Sequence, residues 1–406
     1  MTLLLEYWVG EGGTHVFVGR AELAEPAVVR LEIGRAELTE AAGWLLGERP
    51  RPEALQDRLG ALVAPAADWA EPGELVWLVP HDLLHQIPLH ALSLPDGQVL
   101  AERHPVCYTP SASIMTYVRG RAPRVPRRAV VFADSRSGDA PLLHAEAQGL
   151  ALRETLGGEA VEVHSGGAVT REAVLAGLAG EADVLHVACH GVFDPQAALR
   201  SGFALAGADV ALFTAEDFTA RRCRPDLVVL SACESGVNLR GPGDELIGLT
   251  RAILYSGAAS VVVSLWSVDE ISTSLLMRGF YAELVGGAGK AVALQRAQRA
   301  TREMTIGQVV AYCEALRPER AGAARRMLDL DIADLAFRAG DFAVALAGYE
   351  RLAAEPEVAG PERVALVAAA ARSRRALRAG ATPDYSRRPF ADAYYWAPFV
   401  LVGDWR

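Results

Sequence analysis

Two stretches of the sequence run apolar and then end in side chains that could act on a carbonyl carbon. Leu185-His186-Val187-Ala188-Cys189-His190-Gly191 ends in an imidazole followed by glycine. Leu227-Val228-Val229-Leu230-Ser231-Ala232-Cys233-Glu234-Ser235-Gly236 ends in a thiol followed by a polar loop. A cysteine thiolate can attack a carbonyl carbon, and an imidazole can protonate the departing amine. Glycine after the histidine lets backbone N–H groups approach the oxyanion that develops. The competing reading is structural, because free cysteines are commonly buried in strands as small hydrophobes. Cys189 fits that reading: it precedes His190 and points to the opposite face. His186 shares the face of His190 but sits deeper, as a satisfied core histidine does. Cys107, Cys223 and Cys313 lie in no context that supports chemistry.

The elements around these residues predict an α/β fold. Residues 1 to about 35 alternate apolar and polar and predict a meander of strands. Helical patterns follow at Glu37–Leu46 and Pro52–Leu62, then a buried-type strand at Glu74–Val79 that Pro80 ends. Residues 80–125 read as loops and short elements. From 126 onward strands and helices alternate. Strands are predicted at Ala129–Asp134, Ala160–His164, Asp183–His190, Asp226–Ala232 and Ser260–Trp266. Helices are predicted at Leu142–Leu156, after an N-cap at Thr170, at Asp244–Ser256, and at about 270–286 and 289–303. Such alternation argues for a mostly parallel sheet covered on both faces. In such sheets ligands bind outside the carboxyl ends of the strands, where both His190 and Cys233 fall. Between 306 and 388 the pattern is helical. Ala333, Gly340, Ala345, Tyr349 and Pro356 fall close to the small/large pattern of one tetratricopeptide-type hairpin, with a plain helical insertion as the other reading. The segment Tyr394–Asp404 predicts a last strand that returns to the sheet.

Composition narrows the function classes. The 406 residues are 51% hydrophobic and 22% charged with a formal net charge of −10, which fits a globular protein and disfavours a general nucleic-acid binder. Only Lys290 among the 40 basic residues is a lysine, a bias that warns against reading each arginine cluster as a site. The arginines of residues 363–388 fall under that warning: a patch for an acidic partner and a solvated helix face are both open. Five cysteines without a CxxC spacing predict neither a disulfide framework nor a zinc site. No signal sequence and no apolar run long enough to span a bilayer is present, so a cytoplasmic protein is expected.

Several segments, in order, resemble the CHAT family, the bacterial branch of caspase-like and separase-like cysteine peptidases. They are Val79-Pro80-His81-Asp82-Leu83-Leu84-His85-Gln86-Ile87-Pro88-Leu89-His90-Ala91-Leu92, Tyr108-Thr109-Pro110-Ser111-Ala112-Ser113, His190-Gly191-Val192-Phe193-Asp194 and Asp226–Cys233. Gly243–Leu249, Ser264-Leu265-Trp266-Ser267-Val268-Asp269 and Tyr395-Trp396-Ala397-Pro398-Phe399 complete the set. The resemblance implies a caspase-like, mostly parallel sheet flanked by helices. It implies an N-terminal α/β pseudo-catalytic subdomain at 1–125, a catalytic subdomain at 126–305, a small all-α insertion at 306–388 and a final strand at 389–406. It also implies His190 and Cys233 as a catalytic dyad, with the backbone N–H groups of Gly191 and Cys233 as the oxyanion hole. Asp269 resembles an S1 aspartate of separase-like relatives, which would pair with a basic P1 side chain; the alternative is a helix N-cap.

The expected function is that of a cysteine endopeptidase making limited cuts in a partner protein, with no cofactor and no metal. The resemblance implies a bacterial defence or stress pathway, an effector substrate such as a pore-forming protein, and a separate sensor or activator docking at 306–388. No specific nucleic acid and no membrane are expected as partners. Two alternatives stand beside it: a catalytically silent scaffold of the same fold, and a cysteine hydrolase acting on a small acyl substrate.

Overall fold

The structure, a computed structural model, describes residues 2–44, 56–113, 125–133, 143–192, 197–207, 211–231 and 244–406. These divide into two compact units, Met1–Ala300 with Ala393–Arg406, and Thr301–Asp392.

The first unit is built on one large sheet. β1 (Thr2–Gly10), β2 (Gly13–Gly19) and β3 (Ala27–Leu31) form an antiparallel meander. Alternation buries Leu3, Leu5, Tyr7, Val9, Val16 and Val18 on one side, as a period of two requires. β4 (Leu75–Val79) runs parallel to β1, and β5 (Val106–Tyr108) runs parallel to β4. The second half contributes β6 (Ala129–Ala133), β7 (Val161–Ser165) and β8 (Val184–Ala188). After a small antiparallel sheet of β9 (Gly191–Val192), β10 (Gly202–Ala204) and β11 (Leu212–Thr214) come β12 (Leu227–Leu230) and β13 (Ser260–Ser264). β14 (Phe399–Gly403) closes the chain. The order of the large sheet is β3-β2-β1-β4-β5-β14-β13-β12-β8-β6-β7.

Every residue of β6, β8, β12 and β13 is buried, because helices cover both sides of a parallel sheet. The longer helices of this unit are α1 (Arg35–Gly43), α2 (Leu143–Leu156), α3 (Arg171–Ala179), α4 (Ala215–Thr219), α5 (Asp244–Ser256), α6 (Glu270–Val285) and α7 (Lys290–Glu303). One core holds apolar residues of α1, α3, α4 and α5 together with Leu185, Val187, Val228 and Val261. The other holds Leu152, Leu276, Phe280 and Leu294 of α2, α6 and α7 with Val184, Val229 and Val262.

β14 is parallel to β5 and antiparallel to β13. The two halves of the sheet therefore run in opposite directions. The carboxyl end of β4, with the Pro80–Leu92 segment behind it, leaves the edge opposite to the one where β8 and β12 end. The expected strand over Tyr394–Asp404 is shorter than the sequence suggests. Ala393–Trp396 is a helical turn, pinned where Trp266 Nε1 donates to Tyr394 O at 3.1 Å, and the strand begins only after Pro398.

The second unit consists of α8 (Ile306–Leu316), α9 (Gly322–Ala339), α10 (Phe342–Ala353) and α11 (Gly360–Leu377). α9 and α10 form a hairpin. Gly340 ends α9 in the left-handed region at φ +83°, which costs glycine nothing, and Asp341 caps α10 by accepting from Val344 N at 3.1 Å. Ala333, Ala345 and Tyr349 are buried between the helices. The buried carboxylate of Asp329 faces Arg317 at 2.7 Å and Arg325 and Arg351 at 3.6 Å, tying the end of α8 to α9 and α10.

Candidate active site

His190 lies two residues past the carboxyl end of β8, half-buried. Its backbone carbonyl accepts from Ala204 N at 2.8 Å, so the small sheet holds the histidine in place. Backbone groups alternate in direction along an antiparallel ladder. Since His190 turns its carbonyl toward β10, Gly191 turns its N–H to the other side, off that ladder. The sequence reading misses β10 and β11, because strands of three residues carry no usable periodicity; Gly202-Phe203-Ala204 and Leu212-Phe213-Thr214 were the available signal.

β12 lies beside β8 in parallel register, with Leu230 opposite Val187. The chain leaves β12 through Ser231, whose N–H donates to Val187 O at 2.8 Å. Cys233 itself lies outside the described residues, as do Phe193, Asp194, Glu234 and Ser235. The other four cysteines are buried. Cys189 Sγ lies 3.5 Å from Phe132 O, and Cys107 Sγ lies 3.2 Å from Gly403 O, its thiol pushed well up by burial. A thiol so disfavoured as thiolate is a poor nucleophile.

Four residues before His190, on β8, His186 is fully buried. Its Nε2–H donates to Gln148 Oε1 at 2.9 Å and its Nδ1 accepts from the Tyr281 hydroxyl at 2.6 Å. The ring joins α2 and α6 to β8. Desolvation lowers its pKa to about 3, so it stays neutral. Asp269 is the N-cap of α6: its Oδ1 accepts from Ser272 N at 2.8 Å. Beside it Glu270 accepts from His144 N at 3.2 Å, linking α6 to α2.

A cavity of ≈ 380 Å³ lies at the opposite edge, at the amino ends of β8 and β12, lined by Asp183, Asp226, Lys290 and Arg406 among others. It is remote from His190. Lys290 is buried there and pairs with Asp226 at 2.6 Å. The chain's one lysine thus fills a compact site where an ammonium meets a carboxylate. Among the described residues no cluster of His, Cys, Asp and Glu is arranged to hold a metal ion, and no helix is long and apolar enough to cross a membrane.

Residues 51–404 match the CHAT domain. The chain belongs to the CHAT domain family. The match takes in β4 to β14 and the helices between α7 and β14, so the helical unit lies within it, while β1, β2, β3 and α1 precede it. Over 88 residues the chain is 36% identical to tetratricopeptide repeat protein 28 of Mus musculus and 35% identical to that of Homo sapiens. That stretch is 22% of this chain and 4% of the length of either relative. Two solved structures resemble the chain at low similarity. One is the Arg-specific cysteine proteinase gingipain R, at TM-score 0.41 and 10% identity over 65% of this chain and 69% of that one. Another is the complex of Porphyromonas gingivalis RgpB pro- and mature domains, at TM-score 0.39 and 10% identity over 91% and 76%.

Proposed function

We propose that this CHAT domain is a cysteine endopeptidase that makes limited cuts in a partner protein, with His190 and Cys233 as its dyad. The observation that carries the reading is the adjacency of two parallel strand ends. His190 stands two residues past the end of β8, and the neighbouring strand, β12, ends at the same edge three residues before Cys233. In this mechanism the Cys233 thiolate attacks the scissile carbonyl and His190 protonates the leaving amine. A water deprotonated by His190 then hydrolyses the acyl-enzyme. The Gly191 N–H, turned off its ladder, and the Cys233 N–H stabilise the oxyanion. Asp269 commits one oxygen to its cap and offers the other to a basic P1 side chain.

The substrate is expected to be an effector protein, such as a pore-forming one, in a bacterial defence or stress pathway, in the cytoplasm, with residues 306–388 receiving a sensor or activator. The test is cleavage of a protein encoded beside this one by wild type, Cys233→Ala and His190→Ala. Loss of cleavage by about a thousandfold or more in both variants is expected. Cleavage that persists in both removes the dyad; a wild type that binds the protein but never cuts it favours the silent scaffold.

A further inference from the structure

The cavity at the amino ends of β8 and β12 carries polar groups that the fold leaves partly unused. Lys290, the first residue of α7, has a side chain only 5% exposed, and among the described residues its ammonium meets one partner, Asp226 Oδ2 at 2.6 Å. An ammonium carries three N–H donors, so two remain for a ligand. The other Asp226 carboxylate oxygen has no partner among the described residues. Asp183 stands beside it, since Asp226 N donates to Asp183 O at 2.9 Å. Asp183 Oδ2 accepts from Arg127 N and Arg128 N at 2.8 and 3.1 Å, which leaves its Oδ1 as a second acceptor. Arg406, also on the wall, is committed to Asp404 at 2.9 Å. The start of α7 adds donors: Gly289 before it has no side chain to cap the helix, and while Ala291 N donates to Trp405 O at 3.0 Å, the N–H groups of Lys290 and Val292 have no partner among the described residues. The rest of the wall is apolar, with Leu284, Val292 and the ring of Trp405, which Trp77 holds edge-on at 5.1 Å.

We propose that this cavity binds a free α-amino acid with an apolar side chain. The ligand carboxylate takes the two remaining Lys290 donors and the amino end of α7, where the helix dipole favours an anion. The ligand ammonium goes to the remaining oxygens of Asp226 and Asp183, and the side chain lies against Leu284, Val292 and Trp405. The mixed charge of the wall selects a zwitterion. A simple anion would be set against two carboxylates, and a simple cation against Lys290 and the positive end of α7. An α-amino acid holds its opposite charges on either side of one carbon, which suits a wall where an ammonium and a carboxylate stand 2.6 Å apart. A longer peptide separates its terminal charges, and it is large for a cavity of ≈ 380 Å³, which lies near the small end of ligand sites. The site shares no residue with the proposed dyad, so it stands or falls independently of the peptidase reading.

The experiment is calorimetric titration of the full chain with L-phenylalanine and with L-leucine. Binding with a Kd between about 10 µM and about 1 mM is expected for at least one of them. N-acetyl-L-phenylalanine lacks the ammonium and 2-phenylethylamine lacks the carboxylate, so each should bind about tenfold or more weakly than L-phenylalanine. Val292→Trp, at a half-buried position of the wall, fills the cavity and leaves Lys290 and Asp226 in place. It should lower the affinity about tenfold or more, with circular dichroism verifying the fold. The two analogues test the wild-type protein, so the proposal stays falsifiable whatever the variant does. Absence of saturable binding of both amino acids up to about 10 mM overturns it. So does an analogue that binds as tightly as L-phenylalanine, or an affinity that a folded Val292→Trp leaves unchanged.

Discussion

Asp269 shows how one carboxylate can carry two meanings. As the N-cap of α6 it satisfies an orphan N–H of the first turn, and in the proposed S1 role it would select a basic side chain. The two are separable because asparagine caps a helix about as well as aspartate but bears no charge. Asp269→Asn is therefore expected to leave the melting temperature nearly unchanged while lowering kcat/KM for peptides with Arg or Lys at P1 by about tenfold or more. A peptide library cleaved after Met or Leu, and never after Arg or Lys, would reduce Asp269 to its cap. His186, four residues before His190, teaches the complementary lesson. A histidine in a reactive neighbourhood is not thereby reactive: both ring nitrogens are engaged, and burial holds it neutral.

At the scale of elements the α9–α10 hairpin depends on close approach. Gly348 of α10 faces Ala333 of α9, and a Cβ on Gly348 would come within 2.8 Å of the Ala333 Cβ. Such a separation forces the helices apart. Gly348→Val is expected to destabilise the helical unit by about 1–3 kcal/mol, the usual cost of overpacking. Hydrogen exchange would read this directly: faster exchange in α9 and α10 with unchanged protection in β8 and β12. Uniform loss of protection would mean that the two units unfold as one. Ala333 and Ala345 stand out in the sequence by their small/large pattern, whereas Gly348 does not, because its role is a distance between two helices.

For the whole molecule the decisive element is β14. It joins two half-sheets of opposite direction, pairing with β13 over five residues and with β5 through Val402 and Tyr108. Gly403 makes the junction possible. It sits at φ +109°, and a Cβ there would lie 2.4 Å from Ala259 O. Next to it Ser260 Oγ donates to Asp404 O at 2.7 Å and seals the end of the strand. Gly403→Ala combines backbone strain with a backbone clash and is expected to cost about 2 kcal/mol or more in a urea melt. A neutral substitution would show that the last strand can shift without loss.

The sequence by itself determined what depends on near neighbours. The alternation of β1 and β2, the buried runs of β8, β12 and β13, the caps at Thr170 and Asp269 and the turn at Gly340-Asp341 follow from side-chain type and local spacing. So does the position of His190 at a strand end, which is the legible part of the candidate site; Cys233 stays with the proposal. Tertiary structure alone decided what joins remote segments. It set the opposed directions of the two half-sheets, the seat of β14 between β13 and β5, and the small sheet that fixes His190 through Ala204. It also sorted four cysteines into the core and put the sole lysine against Asp226. These outcomes rest on burial and register between stretches far apart in the chain. No local pattern encodes them, because each is a competition among pairings that the packed core settles.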